Sequence, residues 1–374
     1  MSRSPIILDK LSEINWHIVG LVAAIAAIGF VMMVSAGNGN ISPFASQQIS
    51  RFLFAFVLML IVAVLPMRIL LDYAYLIYGA CVLVLIGVDI IGHIGMGAQR
   101  WIKLGGVNLQ PSEFMKLAMI LALARYFHRL YPEDIQRFPY LIPPILIMLI
   151  PAVLILRQPN LGTTLITLGV GTTLCLLAGV RLRYFIGAGI AALAAMPFAW
   201  HYLHDYQKRR VLTFLDPQSD PLGAGYNILQ SMIAVGSGGF FGKGFLKGSQ
   251  SQLDFLPEKQ TDFVFTMLAE EFGFLGGMLL LGLFFMLLSA GMAIAMNSRS
   301  TFGGLLAGGV TVMLFFHVLI NCGMVMGLLP VVGVPLPLVS YGGSNMVASV
   351  LAIGLLLNAY ANQNQLPGRL TLKT

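Results

Sequence analysis

Ten long apolar runs divide this 374-residue chain, and they constrain its fold more than any other feature. The first extends from Ile14 to Ala36, and the others lie at about 50–66, 69–92, 112–128, 137–156, 161–179, 183–203, 274–296, 302–327 and 343–361. A helix needs about 20 predominantly apolar residues to cross a bilayer. With 57% hydrophobic and only 10% charged residues, the chain has too much apolar surface for a soluble fold. We therefore predict an all-α polytopic membrane protein whose ten transmembrane helices form one domain over residues 1–374.

The short connections predict how these helices are oriented, because cytoplasmic loops carry an excess of Lys and Arg. The basic residues lie mainly on the side of the N-terminus, and the short connections of the other side hold only Arg51 and Arg157. We therefore expect both termini in the cytoplasm. The first run is too long for a signal-peptide core, so we expect it to be retained.

Nine basic residues break this charge rule, because they lie on or near two longer outer segments at about 93–116 and 204–262. These residues are Arg100, Lys103, Lys116, Lys208, Arg209, Arg210, Lys243, Lys247 and Lys259. We interpret them as contacts for an anionic ligand on the outer face. No basic run is longer than Lys208–Arg210, which argues against a nucleic-acid partner. Each of the three cysteines falls in a different apolar run, which predicts small apolar side chains rather than a disulfide or metal site.

The large outer loop at 204–261, between the seventh and eighth runs, is too long for a bare connection. Its segment 226–235 is apolar and predicts an ordered helix at the membrane surface. The glycine run 236–244 does not fit a nucleotide-binding P-loop, since Ser237 stands in place of the first glycine and Gly244 follows Lys243. Its amides, with Lys243 and Lys247, could hold phosphate oxygens. A flexible turn with solvated lysines is the alternative.

The stretch from Asp254 to Glu271 concentrates charge directly before the eighth run. It contains Asp254, Glu258, Lys259, Asp262, Glu270 and Glu271. Charge beside a membrane span is expensive and is usually functional. The alternative is a solvated loop followed by a helix that begins at Thr261–Asp262.

Two further polar groups lie at membrane depth. Glu113 and Lys116 share one face at the start of the fourth run, where Pro111 favours a helix start. They form either a functional pair or an ion pair that only lowers the cost of insertion. His317 and Asn321 share a face of the ninth run, and we interpret them as interhelical hydrogen-bonding residues rather than ligands. The Pro- and Gly-rich segment from Gly327 to Ser344 predicts a re-entrant loop that must be buried against protein or line a wet cavity.

Several of these segments together resemble the SEDS family of membrane proteins. The matching motifs are Arg100–Ile102, Gln110–Lys116, Phe214–Pro217, Gly223–Asn227, Gly236–Gly239, Phe255–Glu258, Thr261–Phe263 and Pro335–Gly343. The resemblance covers nearly the whole chain after the leader. The local sequences at Asp205–Gln207, Ser249–Leu253 and Leu329–Pro335 are most similar to those of the elongation branch of the family, rather than its division branch.

The resemblance implies a ten-span peptidoglycan glycosyltransferase of the bacterial cytoplasmic (inner) membrane, which polymerises lipid II on the outer face. It also implies a divalent cation, Mg or Mn, a class B penicillin-binding protein as transpeptidase partner, and a place in the elongation machinery. By this resemblance Asp262 matches the essential aspartate of the family, and Glu113 and Lys116 match its charged pair. The chain departs from the family at Asn160, where relatives carry an aspartate, so we retain Asn160 only as a polar contact. The metal ligands are not assigned.

The residue chemistry agrees with this function. Making a β-1,4 glycan from an α-linked donor inverts the anomeric carbon, so one displacement with one base suffices. We predict that Asp262 is this base, and that a set of charged and polar residues contacts the substrate. The set is Arg100, Lys103, Glu113, Lys116, Arg209, Arg210, Lys243, Lys247, Glu258, Ser340 and Ser344. A lipid-linked oligosaccharide flippase is the alternative from another class, and a non-catalytic scaffold that activates the transpeptidase is a third.

Overall fold

The computed structural model describes residues 13–95, 98–104, 107–202, 208, 212–217, 224–253, 255–256 and 258–364. All ten predicted runs fall on helices of this structure. In chain order the helices are α1 (Trp16–Ala36), α2 (Phe44–Val64), α3 (Met67–Ile91), α4 (Pro111–Arg129), α5 (Pro132–Ile135), α6 (Ile142–Arg157), α7 (Leu161–Leu177), α8 (Leu182–Tyr202), α9 (Ala224–Ser237), α10 (Ser249–Gln252), α11 (Val264–Asn297), α12 (Thr301–Val325) and α13 (Gly343–Ala361). A short 3-10 helix, Phe138–Leu141, leads into α6.

Seven of the described helical segments are long and apolar enough to cross a membrane. They contain α1, α2, α3, α6, α11, α12 and α13, while α7 and α8 contain shorter apolar stretches. Helix α4 is less apolar because it carries Glu113, Lys116, Arg125 and Arg129. The chain is therefore a multi-pass membrane protein, as its hydropathy predicts.

The prediction of an all-α fold was incomplete, because the segment before α4 forms a small antiparallel sheet. Its strands are β1 (His93–Gly95), β2 (Ala98–Leu104) and β3 (Val107–Leu109), in the order β1-β2-β3. His93 pairs with Trp101, and Ile102 pairs with Leu109. Strands β1 and β3 have only three residues each, which is too short to produce a visible alternation of apolar and polar residues. The sheet leads directly into α4, which begins at Pro111 as predicted.

Helices α12 and α13 form the centre of the helical body. About three quarters of the most apolar stretch of each is buried, 72% in α12 and 78% in α13. Helix α12 packs against α4, α7, α11 and α13, and α13 packs along α2. At the far end of α13 the buried Asn358 donates from Nδ2 to the carbonyls of Val62 (2.9 Å) and Leu65 (2.6 Å), which joins α13 to the end of α2. In contrast, α8 is exposed along most of its length.

Helix α11 is broken at Gly273, whose φ of 66° and ψ of −162° are not helical. The segment before the break, residues 264–272, is almost entirely buried in the protein. Residues 274–297 continue as a helix of roughly 36 Å at 1.5 Å per residue, which is long enough to cross the apolar part of a bilayer. The break therefore separates a short protein-enclosed helix, which begins beside Asp262, from the membrane span itself.

Candidate active site

Asp262 lies directly before α11, at the positive end of the helix dipole. The helix begins at Val264 and Phe263 is its N-cap, so the predicted start at Thr261–Asp262 was early by two to three residues. The Thr261 hydroxyl donates to the carbonyl and to Oε2 of Glu258, each at 3.2 Å, and does not cap the helix. Asp262 is partly exposed. A carboxylate at this position is stabilised by the helix N-terminus and remains accessible.

The re-entrant loop from Gly327 to Ser344 covers the Asp262 segment. Val334, Leu336 and Val339 of this loop are buried, which confirms the prediction that the loop packs against protein. Gly333 has a φ of 67°, and a Cβ atom placed on it would lie 3.2 Å from Oδ2 of Asp262. The loop backbone at Gly333 therefore borders the Asp262 carboxylate.

Ser340 and Ser344 both use their hydroxyl groups to join segments of the protein. Ser340 Oγ donates to the carbonyl of Thr261 at 2.6 Å and accepts from the amide of Leu336 at 2.7 Å. Ser344 Oγ donates to the carbonyl of Asn108 at 3.1 Å and accepts from the amide of Gln110 at 2.8 Å. Their predicted role as substrate contacts remains a prediction, while the contacts in the structure connect the loop to the Asp262 segment and to the start of α4.

Glu113 and Lys116 form a buried cluster with His317 of α12. Lys116 Nζ lies 2.9 Å from Glu113 Oε2 and 2.7 Å from His317 Nε2. Nδ1 of His317 is 2.7 Å from the carbonyl of Met313, so Nδ1 carries the proton and Nε2 accepts from the ammonium. The three side chains are at most 6% exposed. The predicted pairing on one helix face is confirmed, and so is the prediction that His317 bonds between helices.

Asn321, one turn further along α12, bonds to a loop and to the segment before α11 rather than to a second helix, so its predicted bond between helices was wrong in its partner. Its Nδ2 donates to the carbonyl of Asp262 at 2.9 Å and to the carbonyl of Val334 at 2.8 Å. Asn321 is fully buried. One face of α12 therefore contacts the Glu113–Lys116 pair at His317 and the Asp262 segment at Asn321.

Arg100 and Asn160 meet at the start of α7. Nε of Arg100 donates to the carbonyl of Gln158 at 2.8 Å, and Nη2 donates to the carbonyl of Pro159. The side chain of Asn160 accepts from the amide of Thr163 at 3.3 Å and caps α7. An amide oxygen can cap a helix as well as a carboxylate can, so Asn160 is suited to this local contact. Lys103 lies in β2, with its side chain outside what the structure describes, and Arg209 and Arg210 lie outside the described residues altogether.

Arg51 of α2 is a basic residue that was not included among the predicted site residues. Its Nη2 donates to Gln47 Oε1 at 3.1 Å, and its guanidinium carbon lies 4.8 Å from the centre of the Tyr341 ring. Its Nη1 is buried and has no acceptor among the residues that the structure describes. The neighbouring Gln48 donates to the carbonyl of Ser340 at 2.8 Å, so α2 holds the same loop that borders Asp262. The feature of the sequence that could have identified Arg51 is its position near the predicted outer end of an apolar run.

The glycine run 236–244 fills the break in α11. The amides of Lys243 and Gly244 donate to the carbonyls of Glu270 (3.0 Å) and Glu271 (2.9 Å). In return, the amides of Phe274 and Leu275 donate to the carbonyls of Gly239 (2.9 Å) and Phe240 (3.1 Å). These bonds satisfy backbone groups that a broken helix exposes. The amides of Lys243 and Gly244 are therefore occupied by α11, which differs from the phosphate-binding role predicted for the amides of this run.

The ammonium of Lys243 is also engaged, because it forms an ion pair with Glu270 at 2.8 Å. The Glu270 carboxylate is fully buried and accepts from the amides of Gln250 (2.9 Å) and Ser251 (3.1 Å). Glu271 accepts from Ser35 of α1 and from Gln252. Part of the charge in the Asp254–Glu271 stretch thus holds the loop and α10 against α11. Lys247 is exposed and Glu258 is half-buried with a φ of 58°, and both remain predicted substrate contacts.

Among the described residues, no group of three or more His, Cys, Asp or Glu side chains could hold a metal ion. The three cysteines are free thiols, of which Cys175 and Cys322 are buried and Cys81 is partly buried.

An apolar groove of about 690 Å³ runs between α11 and α12 and is also lined by Thr173 of α7. It extends along α12 to Gly323 and Met326 and ends at Leu328, at the start of the re-entrant loop. The groove therefore connects the membrane-embedded face of α12 with the loop that borders Asp262.

Comparisons with known proteins agree on one family. Residues 11–365 match the family FtsW/RodA/SpoVE, described as cell cycle protein. The chain is 41% identical over 338 residues to peptidoglycan glycosyltransferase MrdB of Escherichia coli (strain K12), and the match covers 90% of each chain. It is 36% identical over 372 residues to a probable peptidoglycan glycosyltransferase FtsW of Trichlorobacter lovleyi, with 96% of each chain covered.

Two solved structures have the same fold. The crystal structure of the rod shape determining protein RodA of Thermus thermophilus superposes with a TM-score of 0.71 and 31% identity, covering 94% of this chain and 98% of that one. A chain from a peptidoglycan synthase complex, described as coordinating polymerisation and crosslinking, gives a TM-score of 0.83 at 34% identity and covers 94% of this chain and 99% of that one.

Proposed function

This chain belongs to the SEDS family, the FtsW/RodA/SpoVE group, and we propose that it is a peptidoglycan glycosyltransferase that polymerises lipid II into β-1,4 glycan strands during cell elongation. The observation that carries the proposal is the position of Asp262. Its carboxylate lies at a helix N-terminus, borders the loop from Gly327 to Ser344 and is partly exposed. The 41% identity to a peptidoglycan glycosyltransferase supports the reaction class.

Asp262 acts as the general base of a single inverting displacement. It takes the proton from the 4-hydroxyl of the acceptor GlcNAc while that oxygen attacks C1 of the donor MurNAc. The bond from C1 to the pyrophosphate oxygen breaks, and polyprenyl pyrophosphate leaves with the electron pair. A positioned general base contributes typically 10²–10⁴-fold to a rate.

The leaving pyrophosphate needs positive charge, which basic residues of the outer face supply. The candidates are Arg51, Arg100, Lys103, Arg209, Arg210 and Lys247. Arg51 enters this set because its buried Nη1 has no acceptor in the described part of the chain and its guanidinium lies against the loop beside Asp262. The guanidinium fork suits two phosphate oxygens at once. Lys243 is a weaker candidate, since Glu270 already pairs with it.

A divalent cation, Mg or Mn, would supply further positive charge to the leaving pyrophosphate. Mg²⁺ is usually bound by one or two carboxylates together with substrate phosphates. Asp262 and Glu258 fit that donor set in type and lie four residues apart. The cation would supply electrostatic stabilisation of the pyrophosphate, and chelation with EDTA during polymerisation tests its requirement.

The apolar groove between α11 and α12 holds a polyprenyl tail of the substrate. Its lining is almost entirely apolar and ends at Leu328, so a tail lying in it would place its polar head at the re-entrant loop. In this proposal the helices cross the bacterial inner membrane ten times and both termini are in the cytoplasm. The loop then lies on the outer face, where lipid II is polymerised. A class B penicillin-binding protein is the transpeptidase partner, in keeping with the likeness to a peptidoglycan synthase complex.

The test is gel-resolved polymerisation of labelled lipid II by the purified protein with its class B partner. Wild type is expected to make glycan chains, and Asp262→Asn to lose at least about a hundredfold in rate. Asp134→Asn is the matched control, because among the described residues the Asp134 carboxylate makes a single ion-pair contact, of 3.7 Å, with Arg137. Chains from Asp262→Asn at the normal rate would refute the base assignment. If no variant made chains while lipid II crossed the bilayer of proteoliposomes, the protein would be a flippase.

A further inference from the structure

Three consecutive carbonyl groups at the Asp262 segment are held from outside the segment. The carbonyl of Gln260 accepts from the amide of Tyr341 at 2.8 Å. The carbonyl of Thr261 accepts from Ser340 Oγ at 2.6 Å, and that of Asp262 accepts from Asn321 Nδ2 at 2.9 Å. All three donors belong to α12 or to the loop that follows it. The backbone carrying the Asp262 carboxylate is thus fixed at three consecutive peptide groups just before the N-cap of α11.

The Asn321 amide does more than satisfy one carbonyl. Its two N–H groups point to the carbonyls of Asp262 and Val334, which belong to the two segments on either side of the carboxylate. Both contacts require donors, so the amide cannot be turned over without placing Oδ1 against two carbonyl oxygens. Oδ1 itself is buried and accepts from no donor in the described residues.

Gly333 shows why the distance between the Asp262 segment and the loop matters for function. A Cβ atom on this residue would come within 3.2 Å of Asp262 Oδ2, and Gly333 directly precedes Val334, whose carbonyl Asn321 holds. The same amide therefore sets the separation of the carboxylate from the loop backbone beside it. The general base must lie within hydrogen-bond reach of the acceptor hydroxyl, and misplacement by 1 Å can cost about a hundredfold in rate.

We infer that Asn321 and Ser340 are positioning residues, which fix the Asp262 carboxylate against the re-entrant loop by holding the backbone of residues 261 and 262. Neither needs to touch the substrate. This assigns Ser340 a role different from the substrate contact predicted from the sequence, and it gives Asn321 a role in the reaction. The inference rests on the proposed function, because it requires Asp262 to be the base.

The experiment compares Asn321→Leu with Asn358→Leu in the complex with the class B partner. Asn358 is the matched control because it is also fully buried and donates to the carbonyls of Val62 and Leu65, near the far end of the bundle. Both variants should lower the thermal stability. Only Asn321→Leu is expected to lower kcat, by roughly 10- to 100-fold with KM within about twofold. A kcat of folded Asn321→Leu equal to that of Asn358→Leu would overturn the inference.

Ser340→Ala keeps the inference testable if Asn321→Leu does not fold, because it removes one hydroxyl with little change of volume. Its control is Ser231→Ala, since Ser231 is equally buried and donates to the carbonyl of Val325 at 2.7 Å. We expect a fall in kcat for Ser340→Ala alone, and equal kcat values in the two serine variants would contradict the inference.

Hydrogen exchange provides a readout that does not depend on activity. Amides of residues 258–264 should exchange faster in Asn321→Leu and Ser340→Ala than in either control. Unchanged exchange in both variants would overturn the inference while leaving the proposed function intact. If wild type made no glycan but hydrogen exchange was faster in the two variants as expected, the proposed function would fail. The contacts of Asn321 and Ser340 with residues 261 and 262 would then be a structural feature only.

Discussion

At the residue scale, the buried ion pair of Glu113 and Lys116 shows how charge is tolerated inside the helical body. Both side chains are nearly inaccessible, and the ammonium is held by the carboxylate and by His317 Nε2. The desolvation cost of a buried pair offsets much of its attraction, but removing one partner leaves an uncompensated charge. Each of the two charges is therefore tolerated in the protein interior only while the other is present.

Lys116→Met should destabilise the protein by about 3–5 kcal/mol, because it leaves Glu113 buried without its cation. The double variant Glu113→Gln/Lys116→Met should recover most of this loss, since neither residue is then charged. Thermal unfolding of the detergent-solubilised protein measures both. The surface ion pair of Asp134 and Arg137 provides the control. Asp134→Asn should change the free energy of unfolding by less than about 1 kcal/mol.

The activity of the double variant separates the two roles considered for this pair. Full polymerisation of lipid II by a stable double variant would limit the pair to lowering the cost of membrane insertion. A stable but inactive double variant would support a role in holding the outer loops or the acceptor.

At the element scale, the broken helix α11 depends on a loop that is distant in sequence. The glycine run supplies donors and acceptors on both sides of Gly273, and the backbones approach closely. A Cβ atom on Gly242 would lie 2.2 Å from the carbonyl oxygen of Glu271, and its φ is 80°. Only glycine fits this position without moving one of the two backbones.

Gly242→Ala is expected to detach the loop from α11 and to destabilise the protein by at least about 1–3 kcal/mol. Polymerisation should fall as well, because the helix whose start carries Asp262 loses its support. Limited proteolysis within residues 238–252 measures the detachment. Gly282→Ala is the control in the same helix, since nothing lies within 4 Å of its added Cβ. Equal resistance of the two variants to protease would contradict this account of the break.

At the scale of the whole molecule, the groove along α12 links the membrane to the candidate active site. Leu319 lines it and is 46% exposed, so a larger side chain can fill the groove without disturbing the core. Such a substitution tests whether the groove binds a substrate tail independently of the chemistry at Asp262.

Leu319→Trp should raise KM for lipid II with a long polyprenyl chain by roughly tenfold, as expected for the loss of a few apolar contacts. KM for an analogue with a short chain should not change, because that chain does not reach the filled part of the groove. Leu83→Trp on α3 is the control, since Leu83 is 70% exposed and does not line the groove. An equal rise of KM for both substrates would argue against tail binding here.

Much of the architecture could be predicted from the sequence. The long apolar runs predicted where the helices lie, and the spacing of Glu113 and Lys116 predicted a pair on one face of α4. The three short strands before α4 were missed, because pairing with other strands rather than local pattern stabilises them. The start of α11 was placed too early, because the Thr261 hydroxyl bonds to Glu258 instead of capping the helix.

The sequence by itself determined the membrane class, the position of the helices and the residue types available for the chemistry, because length, hydropathy and helical spacing are local properties. Only the tertiary structure decided which polar groups meet. Lys243 pairs with Glu270, Ser340 bonds to the carbonyl of Thr261, and Asn321 bonds to that of Asp262. These partners are 27, 79 and 59 residues apart. Contacts over such separations depend on how the helices pack and on where the loops lie against them. Local periodicity in the sequence does not predict either.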